Sequence, residues 1–155
     1  ETNGIIVPGL NGISAPYWTG EFETQFFKLD KKSDPNKIVR AGMESIGFLV
    51  HDICKEIKKE AKIELSDIVA SGGSSRASLL QFIADILRTD IATTSGKDMT
   101  ALGVARLVAH SAYGTPLDSV AERNEKFHPV MKAKVKDKKI FAWHDALRKL
   151  SILAN

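Results

Sequence analysis

The residues best suited to chemistry lie in a glycine turn, Ser71-Gly72-Gly73-Ser74-Ser75, between two apolar segments. The run from Ile68 to Ala70 before it predicts a strand. The segment after it predicts a helix with one apolar face, formed by Leu79, Phe82, Ile83 and Ile86. A strand that turns through glycines into a helix N-terminus can bind phosphate, because free backbone N–H groups and the helix dipole both favour an anion. The same pattern also fits a βα turn that needs small residues and binds nothing.

Familiar phosphate-binding and catalytic motifs do not match this sequence. The glycine turn lacks the Gly-Lys-Ser/Thr of a Walker A motif and the spacing of the dinucleotide fingerprint Gly-x-Gly-x-x-Gly. No Ser-His-Asp, His-Glu-x-x-His or paired-carboxylate arrangement stands out. His51 and Asp52 have no metal-ligand spacing to another histidine, so we interpret them as structural and predict no metal site. Spacing alone therefore predicts an α/β domain with a candidate phosphate-binding turn.

The composition is typical of an ordinary globular domain. The chain has 155 residues, enough to bury a core, with 43% hydrophobic and 26% charged residues. The net charge of +3 is too small to indicate a nucleic-acid partner by itself. The lone Cys54 excludes an internal disulfide framework and fits a reducing, cytoplasmic environment. No signal peptide and no membrane-spanning apolar run is visible, so we expect no membrane association.

The elements that position the turn alternate between strand and helix. Residues 4–10 and 22–29 are predicted strands, and Ser33-Asp34-Pro35 predicts a helix start because a capping side chain precedes a proline. That helix should extend to about Ala61. Its predicted core-facing stripe consists of Ile46, Leu49, Val50, Ile53 and Ile57. With a later strand and helix, the order β, β, long α, β, α, β, α predicts an α/β layered fold.

Two more helices are predicted towards the end of the chain. The helix at 100–110 is rich in small residues, so we expect it to pack tightly on a sheet or another helix. Residues 122–130 are polar and predicted to be extended. Residues 132–150 are predicted to be helical, with one side formed by Ile140, Trp143, His144 and Leu147.

Two surface features allow more than one interpretation. The lysines between Lys132 and Lys139 resemble a basic patch for nucleic acid, but acidic residues and an apolar stripe surround them. We therefore favour a solvated helix face and expect no nucleic-acid partner. The Tyr17-Trp18 pair lies in a predicted loop, where aromatic side chains form either a lid over the core or a platform for a ligand. We favour the lid.

Segments distributed along the chain resemble the FGGY carbohydrate kinases, the family that includes glycerol kinase and xylulokinase. The resemblance extends from about Ile5 to Leu150. Single segments are weak signals, but their order and spacing together are specific. The matching segments are Val7–Trp18 ("VPAF-x-G-x-x-APYWD" in the family), Arg40–Phe48 ("R-A-x-L-E-G-I-A-F"), Ser71–Ser78 with Gln81–Ile86 ("GG…Q-x-x-A-D"), Thr100–Ala105 ("TALGAA"), and Phe127-His128-Pro129 with Trp143 ("F-x-P…W").

The resemblance implies the fold and the activity of a longer protein. It implies an actin-like, ribonuclease-H-like α/β domain with a mixed sheet flanked by helices, of which this chain is the later, C-terminal part. Residues 120–155 would be the closing segment and helix of that single partial domain. The implied activity is transfer of the γ-phosphoryl group of ATP, with Mg²⁺, to a hydroxyl of a sugar or polyol. The chain starts at Glu1 without methionine, so we expect it to come from the middle of a longer polypeptide.

The resemblance also implies residue roles. In the family, the glycine pair contacts the nucleotide, and the residue four positions after the second glycine approaches the adenine. Here these residues are Gly72, Gly73 and Ala77, and we include the neighbouring Ser74 in the set. The segment would form the adenosine and phosphate side of the cleft. The family's catalytic aspartate precedes the stretch represented here, so we assign no catalytic residue.

Departures from the family pattern keep other hypotheses open. Ser71 stands where glycerol kinases have aspartate, and Ala77 stands where they have an asparagine whose amide would be missing here. An alternative is therefore an inactive family member that acts as a binding or regulatory protein.

Because the family sheet also uses strands from before Glu1, we expect this chain to expose an edge or an apolar face and to form a homodimer through it.

Overall fold

The structure is a computed structural model that describes residues 2–30, 32–66, 68–73, 75–94, 98–116 and 123–153. Within these residues, strands and helices alternate as the sequence predicts. The elements are β1 (Ile5–Val7), β2 (Gln25–Phe27), α1 (Pro35–Ala61), β3 (Ile68–Ala70), α2 (Ala77–Leu87), β4 (Ile91–Thr94), α3 (Met99–Tyr113), β5 (Arg123–Phe127) and α4 (Ala133–Lys149).

The strands form two small sheets. Strands β1 and β2 pair antiparallel, with Ile6 opposite Phe26. Strands β3 and β4 pair parallel, with Val69 opposite Ala92, and β5 joins the other side of β4 antiparallel. The second sheet is therefore mixed. Strand β5 lies within residues 122–130, the polar segment that the sequence predicts to be extended.

Helix α1 begins where its capping signal predicts. The side chain of Asp34 accepts a hydrogen bond from the backbone N–H of Asn36 at 2.9 Å, and Pro35 occupies the first helical position. The helix ends before Lys62, which adopts a left-handed backbone conformation with φ of 54°. Local capping chemistry thus decides both ends of this 27-residue helix.

The predicted core-facing stripe of α1 is wrong at its two outer positions. Ile46 and Ile57 are 47% and 43% exposed, while Leu49, Val50 and Ile53 are half-buried. The helix instead turns a different face inwards, formed by Ala41, Glu44, Ser45, Gly47, Phe48 and Asp52. Two of these residues, Glu44 and Asp52, carry charge, and each has a partner on α4. A hydrophobic pattern cannot reveal that face, because it assigns charged side chains to solvent.

The interior has two parts, which we call the main core and the second core. The main core joins β1, α1, α2 and α4 around Phe48, which stacks on Trp143 and meets Phe82 edge-on, each at 5.4 Å between ring centroids. The second core lies between α2 and the mixed sheet, where Ile83 packs with Ile91 and Phe127. The apolar face predicted for α2 is confirmed, because all four of its residues are buried.

Helix α3 does not pack as its small residues predict. None of its residues is buried, and Val104, Leu107 and Val108 are more than half exposed. Small residues permit close approach, but among the described residues no side chain of α3 belongs to the main core or the second core. Among the described residues, no helix is both long enough and apolar enough to cross a membrane.

Candidate functional site

The glycine turn leaves β3 through a backbone conformation that requires glycine. Gly72 has φ of +93°, in the left-handed region that L side chains rarely adopt. Its carbonyl accepts a hydrogen bond from the N–H of Ser75 at 3.1 Å, which closes the turn. Gly73 follows with open space where a Cβ atom would lie. Gly72 and Gly73 therefore present bare backbone to solvent.

The N-terminus of α2 that follows is open and free of negative charge. The carbonyl of Arg76 accepts hydrogen bonds from the N–H groups of Leu79 and Leu80 at 3.0 Å each. The two N–H groups that precede these bonds belong to Ala77 and Ser78, and such groups have no acceptor within their own helix. The Arg76 side chain makes no capping hydrogen bond, and the first turn contains no acidic residue. This helix end can accept an anion.

The neighbouring helix end at the same edge of the sheet is already occupied. Because β3 and β4 are parallel, their carboxyl ends, and the helices after them, meet at one edge. The carboxylate of Asp98 caps α3 by accepting a hydrogen bond from the N–H of Ala101 at 2.9 Å. A side-chain anion thus serves α3. Of these two helix ends, the start of α2 is the one at which the described residues supply no anion.

The structure brings most of the predicted site residues together on this surface. Gly72 and Gly73 lie in the turn, Ala77 begins α2, and all three are exposed. Ser74 lies outside the described residues. Next to Ala77, the hydroxyl of Ser78 contacts Met43 Sδ on α1 at 3.5 Å. The roles of the set in binding a nucleotide remain a prediction.

The aromatic loop divides between core and solvent. The ring of Tyr17 packs against the main core, and its hydroxyl donates to Asp52 Oδ2 at 2.8 Å. Trp18 is 76% exposed. The lid interpretation therefore fits Tyr17 but not Trp18.

Away from the glycine turn, a cluster of polar side chains surrounds Asp52 on α1. The sequence alone did not predict it. Asp52 is 3% exposed on α1. Its Oδ2 also accepts from Trp143 Nε1 at 2.7 Å, and its Oδ1 lies 2.9 Å from both His51 Nδ1 and His144 Nε2. His51 and Asp52, which we interpret as structural from the sequence, are joined in this cluster by His144, which α4 brings beside them. We call this set, with Tyr17, the Asp52 cluster.

Hydrogen bonding keeps the Asp52 carboxyl group ionised. Burial alone would raise the pKa of Asp52, but the hydrogen bonds of the four surrounding groups outweigh burial and hold that pKa well below its usual range. Burial, together with the nearby carboxylate, raises the pKa of Tyr17 well above its usual value. The phenol therefore stays protonated and donates to an ionised carboxylate.

Two further buried acids, Glu44 and Asp85, hold α4 and the segment before it against α1 and α2. Glu44 is 1% exposed and pairs with Lys139 Nζ at 2.7 Å, so Lys139 does not belong to the solvated helix face that was predicted for it. Arg40 Nε lies 2.8 Å from the other oxygen of Glu44. On α2, Asp85 Oδ1 accepts from the backbone N–H groups of Val130 and Met131 at 2.6 and 2.8 Å. These contacts attach α4 and the segment before it to α1 and α2.

One signal in the sequence could have found Glu44 and Asp52. Glu44, Phe48 and Asp52 follow one another at four-residue intervals, the spacing of a single helix face. A carboxylate on the same face as a core phenylalanine needs a buried partner, because an unpaired buried charge is costly. The partner itself is set by how α4 docks.

Comparisons with known proteins agree with this architecture. The model of the C-terminal domain of the FGGY family of carbohydrate kinases matches residues 2–112, more than half of the chain. Glycerol kinase of Clostridium botulinum is 30% identical over 155 residues, covering 96% of this chain and 31% of the relative. Glycerol kinase of Enterococcus casseliflavus is 32% identical over 148 residues, covering 92% and 29%. The chain thus spans about a third of the length of these relatives.

Solved structures show the same fold. Plasmodium falciparum glycerol kinase, solved with ADP, superposes with a TM-score of 0.79 at 28% identity, covering 98% of this chain and 31% of that one. Xylulose kinase from Lactobacillus acidophilus superposes with a TM-score of 0.81 over 96% of this chain and 31% of that one, at 24% identity, a likeness that shows the fold alone. The actin-like ATPase fold predicted from the resemblance is confirmed. The chain belongs to the FGGY family of carbohydrate kinases, as a match to the family's C-terminal domain.

Proposed function

We propose that this chain forms the adenosine and phosphate side of the cleft in an ATP-dependent kinase that phosphorylates a sugar or polyol. The observation that carries the proposal is the exposed Gly72-Gly73 turn leading into the uncapped N-terminus of α2. Family membership supports ATP as the anion that binds there. The Plasmodium relative was solved with ADP, which agrees with this choice.

The contribution of the chain is binding and orientation. The bare backbone at Gly72 and Gly73 lets a phosphate or ribose approach closely, and the N–H groups of Ala77 and Ser78 together with the α2 dipole attract its negative charge. Arg76, exposed at the same helix end, adds positive charge. Holding ATP in one position lets its γ-phosphoryl group meet a substrate hydroxyl in line.

Other parts of the reaction lie outside this chain in the proposal. Mg²⁺ arrives bound to the phosphates of ATP and offsets their charge, and no ligand for it is assigned here. The carboxylate that accepts the hydroxyl proton belongs to the part of the kinase before Glu1. Closure of two domains around the substrate would exclude water, which otherwise hydrolyses ATP.

A pair of glycine substitutions in the full-length protein tests nucleotide binding. Gly73→Val adds a branched side chain where no atom lies within 4 Å, so the fold tolerates it while nucleotide approach is blocked. We expect the Kd for ADP, measured by calorimetry, to rise at least about tenfold, the loss of one good contact. Gly42→Ala, on an open side of α1, is the matched control and should leave the Kd unchanged. Equal affinity in both variants would remove the glycine turn from the nucleotide site.

The catalytic part of the proposal is tested by ADP release from Mg-ATP with a panel of polyols, pentoses and sugar acids. Turnover on one compound identifies the substrate and supports a kinase. ATP binding without turnover on any compound tested, including glycerol, xylulose and gluconate, would count against catalysis.

A second candidate function rests on Ser71 and Ala77, which replace the aspartate and asparagine expected from glycerol kinases. Both residues are exposed beside the glycine turn. An inactive family member with a binding or regulatory role predicts neither turnover nor ATP affinity. Restoring the family residues with Ser71→Asp and Ala77→Asn would then raise ATP affinity.

A further inference from the structure

Two imidazoles approach one carboxylate oxygen in the Asp52 cluster. His51 Nδ1 and His144 Nε2 each lie 2.9 Å from Asp52 Oδ1. One ligand atom from each of the three residues lies within 4.8 Å of the others. His51 and Asp52 are neighbours on α1, and His144 comes from α4. Nothing in the proposed kinase reaction uses these groups.

We propose that His51, Asp52 and His144 bind one divalent transition-metal ion, for which Zn²⁺ is the best-suited probe. Two imidazole nitrogens and one carboxylate oxygen form a donor set that Zn²⁺ and related ions use, with the remaining positions open to water or an anion. Metal–ligand bonds of about 2.0–2.2 Å place two ligand atoms of one ion about 3–4 Å apart. Small side-chain movements therefore admit the ion once each imidazole proton that faces Asp52 has moved to the other nitrogen of its ring.

The surroundings hold the carboxylate in place for this role. Asp52 Oδ2 accepts hydrogen bonds from Tyr17 Oη at 2.8 Å and Trp143 Nε1 at 2.7 Å, which leaves Oδ1 facing the two imidazoles. Such outer hydrogen bonds orient metal ligands and tune their affinity. The side chains of His51 and His144 are 19% and 18% exposed, so an ion can reach them from solvent.

The local charge sets the expected strength of binding. A metal ion held by one carboxylate oxygen and two imidazole nitrogens receives a single negative charge from its protein ligands. His51 also lines a cavity of about 190 Å³ that Lys55, Lys58 and Lys136 line as well. Their positive charge opposes a dication and favours an anionic fourth ligand such as hydroxide or chloride. We therefore expect micromolar affinity, with the ion fastening α4 to α1.

Calorimetric titration of the chelator-treated full-length protein with ZnCl₂ tests the proposal. We expect one bound equivalent that His51→Gln and His144→Gln each weaken at least about tenfold, as changes at metal sites do. Zn²⁺ should also raise the melting temperature of the wild type more than that of either variant. His128→Gln is the matched control, since His128 is exposed and pairs with the surface residue Asp90 at 3.0 Å. It should bind like the wild type.

Two outcomes would overturn the proposal. A wild-type protein that binds no Zn²⁺ at micromolar concentrations, or an equivalent that survives in both histidine variants, would leave the cluster as a hydrogen-bonded network alone. Circular dichroism shows whether the variants fold. If they do not, the visible spectrum of the Co²⁺-loaded wild type decides: strong bands of low-coordinate cobalt with nitrogen ligands support the site, and their absence overturns it.

Discussion

Helices α2 and α3 follow neighbouring parallel strands, and both are mostly apolar, yet one is buried and the other is not. Helix α2 packs its Leu79-to-Ile86 face against α1 and the mixed sheet, and Asp85 ties it to the segment before α4. Helix α3 buries no residue. The difference lies in the partners that each helix meets within the described part of the chain. Apolar content makes burial favourable, but only an opposing surface makes it happen.

The largest loss of stability should come from a substitution in α2, the buried helix of the two. Phe82→Ala removes a ring that is 1% exposed and packs edge-on against Phe48, so we expect the free energy of unfolding to fall by about 3–5 kcal/mol. Leu107→Ala on α3, where the side chain is 61% exposed, should change it by less than about 0.5 kcal/mol. Urea denaturation measures both. Similar losses in the two variants would mean that α3 is as well packed as α2.

The next effect concerns the buried acids that attach α4. Asp52→Asn places an amide N–H₂ among groups that donate hydrogen bonds to a carboxylate, so unfolding free energy should fall by about 3 kcal/mol. The matched control is Asp145→Asn, which disturbs an exposed pair with Lys149 and should have no measurable effect. Both measurements need EDTA, so that bound metal does not contribute. An Asp52 variant as stable as the control would show that the cluster adds no stability.

Two glycine-to-alanine substitutions should change stability in opposite directions. A Cβ atom at Gly47 on α1 would lie 2.5 Å from Phe82 Cδ1, so Gly47→Ala should lower the unfolding free energy by about 1–3 kcal/mol. At Gly103 on α3 no atom lies within 4 Å, so Gly103→Ala should raise it by up to about 1 kcal/mol through helix propensity. Thermal denaturation of both variants checks the signs. A loss at Gly103 would indicate that α3 packs closely on another surface.

The smallest effect concerns association of the chain by itself. The exposed face of α3 carries Val104 and Leu107, and we expect the 155-residue chain expressed alone to dimerise weakly through it. Val104→Lys with Leu107→Lys should shift light scattering at high concentration towards the monomer. Val39→Lys with Val130→Lys, also at exposed apolar positions, should not. A monomeric parent chain would contradict the prediction.

Much of the fold was predictable because its signals are local. The Asp34-Pro35 start of α1, the apolar face of α2 and the glycine turn each depend on residues within a few positions of one another. Gly72 shows this most directly, since its φ of +93° excludes most other residues. The candidate phosphate site was therefore visible in the sequence, although its ligand was suggested only by family resemblance.

The inward face of α1 and the Asp52 cluster were not predictable in the same way. A helical pattern ranks Ile46 above Glu44 for burial, yet Glu44 is buried because Lys139 reaches it from another helix. His144 lies 92 residues from Asp52 along the chain, a separation that no spacing rule covers.

By itself, the sequence determined the order of the helices and strands, where the backbone must contain glycine, and which family the chain resembles. Those properties follow from capping, steric restriction and short-range periodicity. Only the tertiary structure decided which apolar faces find a partner and which buried charges meet. These outcomes depend on desolvation and long-range packing, whose free energy exists only once distant segments have come together.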